Sequence, residues 1–107
     1  MTLPEIVTNL EKGLMPPEQV VEARNYVASL LYKHNIEYGK LSASCAQWII
    51  SEQEKFKSHA AVERAWEASE DGQKMVRAKY AIRALEHISE SLATNWFLYN
   101  REAKNQM

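Results

Sequence analysis

The stretch ERAWEASEDGQKM, Glu63 to Met75, decides the fold. It holds Trp66, one of three tryptophans, and Gly72, one of three glycines, between two runs of helix-forming residues. Ser69 followed by Glu70 and Asp71 places a cap residue ahead of two acids that favour the positive end of a helix dipole. A helix is predicted to start near Glu70, preceded by a short one from His59 to about Ala68 that Ser58 caps. The stretch therefore reads as a corner in which Trp66 seals one end of the fold and Gly72 sits in a first helical turn.

Outward from the corner, the last helix is predicted to run to about Ala103. Met75, Ala78, Ile82, Leu85, Ser89, Leu92, Trp96, Tyr99 and Ala103 alternate in steps of three and four, the spacing of one buried helical stripe. In the other direction one long pattern spans Glu18 to about Lys57, with Val20, Val27, His34, Leu41 and Trp48 at seven-residue intervals and Leu31, Tyr38 and Cys45 beside them. Leu30, Ile49 and Phe56 widen that stripe. Gly39 with Ser42 and Ser44 weakens the helix locally, yet the register continues across them, which predicts an unbroken or bent helix. At the start of the chain, Thr2 and Glu5 have capping-box spacing, Pro4 fits a first turn, and Gly13 supplies a left-handed stop. Leu3, Ile6, Val7 and Leu10 form the apolar side of that first helix. Leu14 and Met15 are expected to pack as an apolar connector before Pro16 and Pro17.

All three prolines lie in the first 17 residues, so nothing interrupts helix from Glu18 onward. The expected fold is one all-α domain over residues 1–107: a long antiparallel helical hairpin with a short N-terminal helix and a short corner helix. Two-helix hairpins bury little surface, so pairing of two copies into a four-helix bundle is expected, with Leu30, Ile49, Ala81, Ala84 and Ile88 as the second apolar edge.

Hydrophobic residues make up 46% and charged residues 25% of 107, values of a soluble globular chain. A formal net charge of −1 gives no overall positive field for nucleic acid. The single cysteine, Cys45, cannot form an intramolecular disulfide, which points to a reducing compartment and a cytoplasmic location in the host cell. The N-terminus lacks a basic n-region, and no uncharged apolar run approaches the roughly 20 residues of a membrane span.

The sequence offers no catalytic, cofactor-binding or metal-ligating set. Di-iron bundles need paired Glu-x-x-His motifs, and none occurs; His34 lies on the apolar stripe, while His59 and His87 read as surface or corner residues. Cys45 occupies a stripe position with no histidine within two helical turns, so it reads as a small buried hydrophobe. Lys74, Arg77, Lys79 and Arg83 place four positive charges in ten residues without an acid among them. They read first as a solvated face balancing Glu63, Glu67, Glu70 and Asp71, and second as a docking patch for an acidic protein or nucleic acid. Trp66 joins them as a candidate partner contact, since an exposed tryptophan marks a binding hot spot. Trp48 and Trp96 fall on the apolar registers and are expected in the core.

The segments AQWIISEQEKFKSHAAVERAWEASEDGQK, KYAIRALEHISESL and NREAKNQM resemble a group of small helical bacteriophage and prophage proteins. That group has a Trp near the end of a long helix, a K-S-x-x-A-x-x-x-W-x-x-S/T-x-x-G corner and a closing E-A-K-N. Here these are Trp48, Lys57, Ser58, Ala61, Trp66, Ser69, Gly72 and Glu102 to Asn105, with Trp66 one position later than the pattern. The resemblance covers Ala46 to the end, implies a phage accessory protein, and transfers no catalytic residue. The leading expectation is thus a non-enzymatic protein acting through contacts with itself and with host or phage proteins, inhibition of a host defence system being one such role. The alternative is a nucleic-acid-associated factor in phage replication or recombination, using the four basic residues.

Overall fold

The computed structural model describes residues 1–13 and 15–106, and the side-chain surroundings of these except residues 99, 100 and 102–106. The described residues are all-helical, in four helices: α1 (Leu3–Glu11), α2 (Pro17–Glu52), α3 (His59–Ala68) and α4 (Glu70–Gln106). α1 begins with the predicted capping box. The Glu5 amide donates to Thr2 Oγ1 at 3.4 Å and the Thr2 amide donates to Glu5 Oε2 at 3.3 Å. It ends just before Gly13, whose φ of 125° suits only glycine.

The chain packs as two compact units, Met1–Tyr32 with Arg83–Met107, and Lys33–Ile82. α2 passes from the first into the second and α4 passes back. The core of the first unit joins Ile6 of α1, Met15, Val20, Ala23 and Val27 of the α2 side, and Leu85 and Leu92 of α4, all fully or nearly fully buried. Each of these side chains except that of Ala23 contributes about 1.5–3 kcal/mol by leaving water. α1 is therefore part of the core rather than a cover over it. One polar contact fixes the connector: the Met15 amide donates to Asn95 Oδ1 at 2.9 Å. Of the predicted apolar connector, Met15 is buried, and Leu14 lies outside the described residues, as do the side chains of Tyr99 and Ala103.

In the second unit the buried hydrophobics are Val62, Trp66 and Ala78, of which Val62 is fully buried. The α2 stripe continues here as His34, Tyr38, Leu41, Cys45, Trp48 and Ile49, all half-buried. Helix is unbroken at Gly39, as the continuing register requires.

Three expectations need correction. α2 ends at Glu52 rather than near Lys57, and a 3-10 turn (Gln53–Lys55) follows. Phe56 is then extended at φ −120°, ψ 152°, which takes it off the helical stripe and brings its ring 6.1 Å from Trp48. Of the residues expected on the second apolar edge, Leu30 and Ile88 pack against the first unit's core, Ile49 and Ala81 are half-buried, and Ala84 is exposed. On α1, Val7 is exposed, leaving Ile6, Leu3 and Leu10 to face the core.

Candidate functional site

The corner is built around the main chain of Trp66. The Ser69 amide donates to the Trp66 carbonyl at 3.0 Å, and Ser69 Oγ donates to the same oxygen. Ser69 Oγ also accepts from the Gly72 amide at 3.0 Å, so one hydroxyl closes α3 and caps α4. Gln73 Nε2 adds a bond to the Glu67 carbonyl at 2.6 Å. These bonds draw the first turn of α4 onto the end of α3. A Cβ on Gly72 would sit 1.8 Å from the Trp66 carbonyl oxygen, so only glycine permits the approach. The requirement is one of space, since Gly72 does not have a positive φ.

The Trp66 side chain faces inward at 6% exposure. Its Nε1–H donates to Met75 Sδ at 3.4 Å, and its ring lies 5.9 Å from Trp48 at an angle of 49°. Trp48 bridges Trp66 and Phe56, so the three aromatics tie α2, the 3-10 turn and α3 together. Trp66 therefore seals the corner and is not an exposed anchor. The other four candidate residues, Lys74, Arg77, Lys79 and Arg83, are all exposed. Lys74 lies 3.8 Å from Glu70, and among the described residues no carboxylate pairs with the remaining three. Lys74, Arg77 and Lys79 belong to the second unit and Arg83 to the first.

Beside Trp66 the second unit forms a half-open cleft of about 310 Å³, at the lower end of small-ligand sites. α2 contributes Tyr38, Cys45 and Ile49; α3 contributes Glu63 and Glu67 with Trp66; α4 contributes Met75, Val76 and Lys79. Tyr38, Cys45 and Ile49 are seven and four apart on α2, Glu63 and Glu67 four apart on α3, and Met75 and Lys79 four apart on α4, so each pair or triple shares one helix face. The walls are mainly apolar, with two carboxylates on α3 and one ammonium on α4. Glu63 also lies 2.9 Å from His59 Nε2 on the outer side of α3. Burial pushes the Cys45 thiol pKa up, and the negative charge of Glu63 pushes it further. Cys45 is thus kept as a thiol, the opposite of what a nucleophile needs. Each of these residues has a place on a helix that the sequence predicts, but the cleft arises only where three segments converge.

α2 carries a second feature that the hydrophobic register did not reveal. Ile36, Gly39, Ala43, Ala46 and Ile50 recur in steps of three and four on the side opposite the half-buried stripe, and all five are exposed. Ile36 is 42% and Ile50 72% exposed. Gly39 meets nothing within 4 Å. This face carries no charged residue at those positions. Its signal in sequence is faint because glycine and alanine add little to hydropathy.

Among the described residues no group of three or more His, Cys, Asp or Glu could hold a metal ion, and no helix is long and apolar enough to cross a membrane. Comparison with protein-family models, with curated proteins and with solved structures finds no match for this chain.

Proposed function

We propose that the protein is a non-enzymatic accessory protein of a phage or prophage, folded as a helical hairpin and acting through protein–protein contacts in the host cytoplasm. In this reading it first pairs with a second copy of itself, and the dimer engages a host or phage protein, a component of a defence system being one such target. One observation carries the reading: the exposed face Ile36, Gly39, Ala43, Ala46 and Ile50 on the outer side of α2. Small residues at the middle of a seam let two helix backbones approach closely, and larger ones at its ends fill the widening space. The pattern is self-complementary about Ala43. In an antiparallel pair, Ile36 meets Ile50 of the second copy, Gly39 meets Ala46, and Ala43 meets Ala43. The phage setting rests on the resemblance of the corner and the closing segment.

Light scattering at micromolar concentrations tests the pairing. A dimer is expected, and Ala43→Glu should convert it to monomer with unchanged helicity, because two carboxylates would face each other across the seam. In a Cys45→Ser background, Ala43→Cys should form an intermolecular disulfide on mild oxidation. A monomer at all concentrations, or a dimer indifferent to Ala43→Glu, would reject the seam.

The exposed basic residues favour a second reading, a nucleic-acid-associated factor. Duplex binding that falls with salt and disappears when Lys74, Arg77, Lys79 and Arg83 become glutamate would support it.

A further inference from the structure

We infer that the cleft beside Trp66 is a binding site for a small organic ammonium ion, an apolar amine or quaternary ammonium bearing one positive charge. Ile49, Trp66 and Met75 supply apolar and aromatic wall, and Glu63 and Glu67 stand four residues apart on α3 over the same space. Lys79 offsets one of those two carboxylates, so the ionised lining keeps one net negative charge. A monocation neutralises it, whereas an anion meets two carboxylates and a dication overcompensates. Glu63 acts across the cleft as well as along its wall, since its negative charge adds to burial in opposing loss of the Cys45 proton. The Trp66 ring is held in place by its bond to Met75 Sδ and by Trp48, and a cation that reaches its face is attracted by the ring quadrupole. A volume of about 310 Å³ admits a benzylic ammonium. Glu63 and Glu67 are partly solvated, so binding is weak, with a dissociation constant on the order of 1 mM.

Titration of the full-length protein with benzyltrimethylammonium chloride tests this, reading the Trp66 Nε1–H resonance and the rate at which iodoacetamide alkylates Cys45. The expected result is a saturable shift of that resonance together with slower alkylation. Benzyl alcohol, the neutral counterpart, should bind at least about tenfold more weakly, as should the cation to the E63Q/E67Q double variant. Lys79→Met removes a repulsive charge and should tighten binding. The inference is overturned by an absence of saturation up to a concentration on the order of 10 mM. It is overturned equally by benzyl alcohol matching the cation, by an E63Q/E67Q variant that binds like the parent, or by a Lys79→Met variant that binds less well. The carboxylate variants are surface changes on α3, and the neutral-ligand comparison requires no variant.

Discussion

Gly72 and Gly39 are both glycines inside helices, and they answer to opposite demands. At Gly72 any side chain meets main chain: an added Cβ falls 1.8 Å from the Trp66 oxygen, and neither the Ser69 cap nor the α3 terminus has room to yield. Gly72→Ala is therefore expected to lower stability by about 2–4 kcal/mol in urea denaturation. At Gly39 the same added methyl meets nothing within 4 Å. Gly39→Ala should raise stability by about 0.5–1 kcal/mol at concentrations too low for association, because alanine loses less backbone freedom in a helix. Cys45 gives a third residue-level expectation. With its pKa raised by burial and then by Glu63, the pH midpoint of alkylation should lie above that of an ordinary thiol. Glu63→Gln should lower the midpoint only part of the way, since the larger cause remains. The sign for stability follows: the folded state holds the thiol proton more tightly than the unfolded state. This contribution is constant below the unfolded-state value of about 8.5 and declines as pH rises through it.

Helix limits in this chain are set by short-range chemistry, which is why they can be read from sequence. Thr2, Ser58 and Ser69 each place a hydroxyl on an amide three residues on, and all three do so in the structure. The α4 register likewise predicts its inward residues, from Ala78 to Leu92. The end of α2 departs from its helical pattern because Phe56 fits the period while its ring packs near Trp48, a preference that only tertiary contact reveals. Contacts carried by polar residues were also invisible. Asn95 lies on α4 with no register to mark it, yet it satisfies the Met15 amide 80 residues away and itself donates to the Ser91 carbonyl at 3.3 Å. Asn95→Leu leaves that amide without its partner beside a buried side chain and is expected to lower the denaturation midpoint by the equivalent of about 1–3 kcal/mol. Asn95→Asp, which keeps the acceptor, should lose less.

Across the molecule, burial is uneven in a way that bears on function. Among the described residues the first unit holds seven fully or nearly fully buried hydrophobics, drawn from α1, the connector, α2 and α4. The second encloses Val62, Trp66 and Ala78, and no residue of α2 between Lys33 and Glu52 is fully buried. The same continuous helix thus passes from a well-covered to a poorly covered environment. Local opening free energy follows buried contact, so amides of 33–52 should exchange with deuterium faster than those of 17–32 in a monomeric sample. Association across the Ile36 to Ile50 face adds burial only to the later segment. Raising the concentration through the dimerisation range should then slow exchange in 33–52 and leave 17–32 unchanged, while Ala43→Glu should hold 33–52 at its fast rate at every concentration. Protection that rises equally along all of α2 would mean that the two copies meet elsewhere, and protection confined to 70–83 would place the contact on the basic residues of α4 instead.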